Sequence, residues 1–215
     1  MFGSSKDVFT SPDNINSIDV LVGRTVLSRL TANEIGHVYD LLVDPAEGEL
    51  SGLVVQLPDE SLRLVDSQDV SGFGPDAVMI DSEESAVLLT SSPLKGLPGV
   101  KGELLGAKVI TDTGKVLGQV AKVYLHIAQP SLFIYEIRSS ILDKLLGHSL
   151  YIPGSAGRAF SSEAMRLIVS DEAVEHAGYS LDDLANQMFE PPSAEGPMVI
   201  VRSRGHDVPG ERRSI

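Results

Sequence analysis

The chain has 215 residues, with 17 Lys and Arg against 30 Asp and Glu, a formal charge of −13, no Cys and no Trp. A hydrophobic content of 42% with 22% charged residues excludes a disordered chain and is typical of one or two globular domains. The lack of Cys excludes disulfides, zinc fingers, iron–sulfur clusters and thiol nucleophiles. No apolar run reaches the roughly 18 residues that a membrane helix needs, and no export signal is recognisable, so we expect a cytoplasmic protein.

The negative charge also bears on the partners. It repels phosphate backbones, which makes nucleic acid an unfavourable partner except through a local basic patch. We therefore expect protein partners that are neutral or basic where they meet the chain.

The sequence contains an internal repeat. Residues 21–27 (Leu-Val-Gly-Arg-Thr-Val-Leu) align with 104–110 (Leu-Leu-Gly-Ala-Lys-Val-Ile), and residues 35–38 align with 117–120. In residues 53–57 and 133–137, apolar side chains occupy every second position, which predicts strands with one buried face. Further strands are predicted at 38–44, 62–65, 77–80 and 86–89, and at 120–127, 150–152 and 166–169.

Short strands at close spacing favour a mainly β fold of two tandem small antiparallel barrels, because closure leaves no unpaired edge. Helices are predicted only at 171–177, before Gly178, and at 181–189, after a capping box that begins at Ser180. Units of about 80 residues are individually marginal, so we expect the two to pack on each other. The expected organisation is a flexible N-terminus (1–17), a first domain (18–90), a linker without regular structure (91–102), a second domain (103–170), a helical extension (171–190) and a flexible tail (191–215).

The glycines and strand patterns of residues 23–27, 34–44 and 48–55, and of Gly106 with residues 114–120, resemble the PRC-barrel family. The resemblance covers roughly residues 20–90 and 103–170. This family includes the cytoplasmic domain of the photosynthetic reaction-centre H subunit and the bacterial ribosome-maturation factor that docks on a small-subunit protein. The resemblance implies a small β-barrel that binds proteins, with no cofactor and no active site. Neither the membrane helix of the H subunit nor the first domain of the ribosome factor is recognisable, and no functional residue transfers position by position.

The second copy carries an insertion at 139–147, where the first copy has only residues 58–61. Four apolar residues in it have helical spacing and form a candidate protein-binding face: Ile141, Leu142, Leu145 and Leu146. Arg138 precedes them and joins the candidate site. The alternative is that the leucines cap the barrel or seal the contact between the copies, with Arg138 an ordinary surface residue.

Other chemistry-bearing residues form no recognised motif. The five histidines lack ligand spacing, so no metal site is expected. Ser92 and Lys95 match a Ser-x-x-Lys spacing without the companion motifs of the enzymes that use it. Four arginines make the C-terminus locally basic: Arg202, Arg204, Arg212 and Arg213. These observations predict a protein that is not an enzyme and has no cofactor.

The favoured function is that of a protein-binding adaptor, an assembly or scaffolding factor. The alternative is an RNA- or ribosome-associated maturation factor, and a weaker alternative is a peripheral subunit of a photosynthetic or other membrane complex.

Overall fold

The computed structural model describes residues 15–126, 133–138, 149–175, 177–178 and 180–189. Within them the chain is mainly β, with two short helices near the end. The strands are β1 Ile15–Ser17, β2 Thr25–Ser28, β3 Glu34–Asp44, β4 Glu49–Gln56, β5 Leu62–Asp66, β6 Val70–Phe73, β7 Ala77–Ile80, β8 Val87–Leu88, β9 Lys108–Thr111, β10 Val116–His126, β11 Phe133–Arg138, β12 Leu150–Pro153, β13 Gly157–Ser161 and β14 Arg166–Val169, and the helices are α1 Asp171–Glu175 and α2 Leu181–Phe189.

The strands form two sheets with the same internal order. The first sheet runs β6-β7-β2-β3-β4-β5-β8, and the second runs β13-β14-β9-β10-β11-β12, with β1 added beside β10. Neighbouring strands are antiparallel in both sheets except for one parallel pair in each, β2 with β7 and β9 with β14. A closed barrel would need a further pairing between the end strands of a sheet, and no such pairing occurs among the described strands.

The two sheets also share their irregularities. β3 and β10 each have 11 residues. The register of β3 against β4 shifts between Val38 and Asp40, and that of β10 against β11 shifts between Val120 and Lys122, which is the same step of the strand. A bulge adds one residue at a defined point of a ladder. The two sheets therefore have their bulges at equivalent residues as well as sharing the strand order.

The glycine that precedes the first strand of each unit has the same role in both. Gly23 has φ +84° and Gly106 has φ +85°, a left-handed conformation that side-chain-bearing residues rarely adopt. The amide of Gly23 donates to the carbonyl of Val38 at 2.7 Å, and that of Gly106 donates to Val120 at 2.8 Å. The apolar–Gly steps of the sequence repeat therefore mark one recurrent turn.

One hydrophobic core lies between the sheets and takes side chains from both. It contains Leu41, Leu53 and Val78 from the first sheet together with Tyr135 and Leu167 from the second. The backbones meet where Gly48, at φ +73°, lies against Ser155 so closely that no side chain would fit. The packing of two small units on each other, expected from their size, is thus observed.

Several local predictions are confirmed. β7, β14 and α2 begin and end at the predicted residues. α1 is described as Asp171–Glu175, and Ala177, predicted as its last residue, is not helical. β6 and β13 carry no clear alternation and were not predicted. Residues 15–17, in the segment expected to be loose, form β1 because they pair with Tyr124–His126 of β10.

The linker is also more ordered than expected. Residues Val100–Leu104 form one π-helical turn, with the side chains of Val100 and Leu104 buried. The carboxylate of Asp40 on β3 accepts hydrogen bonds from the amides of Lys101 at 2.8 Å and Gly102 at 3.0 Å. This turn could not be predicted from the sequence, because the carboxylate that caps it belongs to Asp40, about sixty residues earlier in the chain.

Candidate interaction surface

The outer face of the second sheet divides into a covered and an uncovered half. Alternation along β9 turns Val109 and Thr111 into the core and Lys108 and Ile110 outward. On the strands β13, β14, β9 and the start of β10, the face is not covered by any of the described residues, and this is the half called uncovered. On the rest of the face, on β10, β11 and β12, side chains of α2 pack together with Ile15 of β1.

Four polar residues cross the second sheet in one row. Arg166 on β14 pairs with Lys108 on β9, Lys108 pairs with Gln119 on β10, and Gln119 pairs with Arg138 on β11. All four are exposed. We call this row, Arg166, Lys108, Gln119 and Arg138, the basic face. Strands are about 4.8 Å apart, so its outer members are separated by about 14 Å.

The three cations of the basic face have no carboxylate partner among the described residues. The only ion pair found in that part of the chain joins His37 Nε2 to Glu34 Oε1, at 3.9 Å, on the first sheet. Unpaired cations on an exposed surface keep their full charge available to a ligand. The basic face is therefore an anion-attracting surface on a protein whose net charge is negative.

An apolar strip lies next to the basic face on the same strands. Val116 pairs with Ile110, and Ile110 pairs with Ile168. Val116 is 46% exposed, and both isoleucines are partly exposed. A ligand that carries anionic and apolar groups side by side would meet both kinds of surface here.

The first sheet lacks this arrangement. The matching row consists of Ala77, Thr25, His37 and Gln56, which contains neither Lys nor Arg. The difference extends to the whole units: residues 18–90 hold fourteen acidic and three basic residues, a charge of −11, whereas residues 103–170 hold five acidic and seven basic residues, a charge of +2. The expectation of neutral or basic partners was based on the net charge of the whole chain, which hides this difference between the units.

The covered half of the outer face contains a buried carboxylate. Glu136, 7% exposed, accepts hydrogen bonds from the Tyr124 hydroxyl at 2.7 Å and from Ser149 Oγ at 2.8 Å. Burial, together with the hydrogen bond to Glu136, raises the pKa of Tyr124 above its ordinary value. Leu184 and Ala185 of α2 complete the cover.

The corresponding positions on the first sheet are apolar. Leu42, Val54 and Leu64 form a cluster there, covered by Leu94 and Leu97 from the linker. Each sheet is thus covered on its outer face by the chain segment that follows it. The polar network around Glu136 has its partners within the protein and offers no open site.

The structure places only one of the candidate residues from the sequence. Arg138 lies at the end of β11 and belongs to the basic face, not to an isolated position. Ile141, Leu142, Leu145 and Leu146 lie outside the described residues. Lys108, Gln119 and Arg166 were missed, because each is an ordinary polar residue at a strand end until the register brings them together. The charge difference between the two copies was the available sequence signal.

The described residues include no group of three or more His, Asp or Glu placed to hold a metal ion. None of the described helices is long and apolar enough to span a membrane. No protein-family model matches the chain. No curated protein matches it either.

Proposed function

We propose that this chain is a non-enzymatic, cytoplasmic adaptor or scaffolding factor, without a cofactor, built from two PRC-barrel-like units that arose by duplication. The single observation that carries the proposal is the unpaired basic face of the second sheet, with its apolar strip. The partner is a protein segment in which carboxylates stand next to apolar side chains.

The dimensions of the basic face suit an extended peptide. Alternate residues of a strand lie about 6.6 Å apart on one face, so three carboxylates at positions i, i+2 and i+4 span about 13 Å. That length is close to the separation of Arg166 and Arg138. Lys and Arg side chains are flexible enough to adjust to it, and contact with the apolar strip contributes about 25 cal/mol for each Å² buried.

The duplication is supported by the shared strand order, the shared parallel pair and the shared bulge. One fold used twice, in an acidic first unit and a slightly basic second unit, suits a protein that joins two different partners. The same topology in both halves also agrees with the PRC-barrel resemblance of both copies.

The proposal is tested by affinity purification from native lysate with three proteins. These are the wild type, the variant Lys108→Gln/Arg166→Gln, and a control with the same change in net charge, Lys95→Gln/Lys101→Gln, whose residues are exposed and lie in the linker on the first sheet. We expect a protein captured by the wild type and by the control to be lost from the basic-face variant. Equal capture by all three proteins would remove the basic face from the function.

The basic face also favours the second candidate function, binding to RNA or to a ribosomal particle. In that case the association constant would fall steeply as the salt concentration rises. The logarithm of the association constant plotted against the logarithm of the salt concentration would have a slope of roughly −2 to −3 for three phosphate contacts. Removal of residues 191–215 would weaken it further, because this tail contains four arginines. An acidic–apolar protein partner predicts a shallower slope and no effect of the tail.

A further inference from the structure

The turn between β2 and β3 presents the most exposed large apolar side chain among the described residues. This side chain is Leu30, which is 75% exposed. The amide of Leu30 donates to the carbonyl of Asp81 at 3.2 Å, so the segment that follows β7 lies beside the turn. Glu83 also holds the two segments together, because its Oε1 accepts from Thr31 Oγ1 and from Asn33 Nδ2, each at 2.8 Å.

Residues 29–34 and 81–84 together form what we call the acidic knob. They contain four carboxylates and one cation, Arg29, which gives a charge of −3. Asp81, Glu83 and Glu84 are exposed, and no cation of the described residues forms an ion pair with them. The knob therefore presents uncompensated negative charge around an exposed leucine.

The acidic knob has the chemistry that the basic face and its apolar strip require of a partner. The face has three cations without a carboxylate partner among the described residues, and Val116 of the strip is 46% exposed. No ion pair joins the knob to the face within the described part of one molecule. A contact between the two surfaces therefore requires two molecules.

We propose that a second copy of this chain is a partner of the basic face and that its acidic knob is the part that binds. This inference rests on the proposed function, because it names a ligand for the same surface. Leu30 of one copy packs on the apolar strip of the other, and Glu83 and Glu84 lie against Lys108 and Arg166. The contact is heterologous, so a pair keeps one free knob and one free face, to which further copies add.

The net charge of −13 on each copy opposes association at long range. At about 0.15 M salt the Debye length is about 8 Å, so charges farther apart than this are largely screened. The opposite charges of the knob and the face are in direct contact and are screened least. Local complementarity therefore decides the association at this ionic strength.

Sedimentation velocity of the full chain at about 0.15 M salt tests the contact. We expect the average mass of the wild type to rise above that of one chain as the protein concentration increases. The face variant, Lys108→Gln/Arg166→Gln, and the knob variant, Glu83→Gln/Glu84→Gln, should each remain at the mass of one chain. The knob variant has less net negative charge than the wild type, so net charge alone would favour its association.

The control for the knob variant is Glu49→Gln/Glu60→Gln, which makes the same change in net charge at exposed positions outside the knob. It should associate at least as strongly as the wild type. A mixture of the face variant and the knob variant should form pairs, because one copy supplies an intact knob and the other an intact face.

Three results would overturn this inference: a wild type that stays at the mass of one chain at every concentration, a knob variant that associates like the wild type, or a mixture that contains only single chains. The proposed function has a separate readout, the binding of an acidic peptide. If the wild type stays single but the face variant loses peptide binding, only this inference fails. If the wild type and the face variant bind the peptide equally, the proposed function fails as well.

Discussion

Tyr124 and Tyr135 lie on opposite faces of the second sheet, and their hydroxyl groups have different surroundings. Tyr135 is fully buried in the shared core, and its hydroxyl has no hydrogen-bond partner among the described residues. Burial accordingly raises the pKa of Tyr135. The hydroxyl of Tyr124 donates to Glu136.

This contrast predicts opposite effects of the same substitution. Tyr135→Phe removes an unsatisfied polar group and should leave the free energy of unfolding unchanged or raise it by about 1 kcal/mol. Tyr124→Phe removes a hydrogen bond to a buried carboxylate and should lower that free energy by about 1.5 kcal/mol. Urea unfolding of both variants gives the two values, and a larger loss from Tyr135→Phe would contradict the assignment.

His126 is the residue that should make stability depend on pH. It is 2% exposed, and burial lowers its pKa in the folded protein. The unfolded chain takes up a proton below its ordinary pKa of about 6.5, and the folded chain does so only at lower pH. His126 therefore does not lower the free energy of unfolding above about pH 6.5. As the pH falls from there toward the pKa of His126 in the folded protein, the free energy of unfolding decreases.

The measurement is the free energy of unfolding of wild type and His126→Gln between pH 5 and 8. The variant should lose less stability on acidification than the wild type does. His37→Gln is the control, because His37 is exposed. Identical pH profiles for wild type and His126→Gln would show that His126 does not cause the loss.

At the scale of elements, Asp40 holds the linker against the first sheet. It is 4% exposed and accepts the amides of Lys101 and Gly102. Asp40→Ala should lower the free energy of unfolding by about 1.5 to 3 kcal/mol, because two hydrogen bonds to a buried, charged acceptor are lost. Chemical denaturation measures the change.

The repeat supplies a matched control for Asp40. Lys122 occupies the same position in β10 as Asp40 does in β3, directly after the register shift, and it is exposed. Lys122→Ala should alter the free energy of unfolding by no more than about 0.5 kcal/mol. Equal losses from the two substitutions would mean that the contact of Asp40 with the linker adds nothing to stability.

Elements fixed by local patterns were predictable from the sequence, and those fixed by distant partners were not. Short apolar runs between turn residues defined β7 and β14, and the capping box that begins at Ser180 defined α2. β1 depends on pairing with β10, and the turn at Val100–Leu104 depends on Asp40. The basic face belongs to the second group, because only the register of four strands places Arg166, Lys108 and Arg138 in one row.

At the scale of the whole molecule, the shared core predicts that the two sheets unfold together. Leu53 of the first sheet is fully buried in the core that also contains Tyr135 and Leu167. Leu53→Ala should cost about 2 to 5 kcal/mol and should speed amide exchange in β10 and β11 as well as in β3 and β4. Leu30→Ala, at a site 75% exposed, is the control. Faster exchange confined to the first sheet would show that the units unfold separately.

The net charge of −13 conceals a division between an acidic first unit and a slightly basic second unit. Because the basic face lies on the second unit, an acidic segment is drawn to one part of the molecule and repelled by the rest. In the proposed function, this division fixes the orientation in which an acidic partner segment binds.

The most direct test of the account is the binding of a labelled ten-residue peptide in which Glu alternates with Thr, so that one face of the extended peptide presents only carboxylates. Binding is measured by fluorescence anisotropy. The matched probe has Gln in place of Glu. Wild type and Lys95→Gln/Lys101→Gln should bind the Glu peptide equally and in preference to the Gln peptide, and Lys108→Gln/Arg166→Gln should bind it several-fold more weakly. Equal binding of the Glu peptide by wild type and Lys108→Gln/Arg166→Gln would contradict the assignment of the basic face as the partner-binding surface.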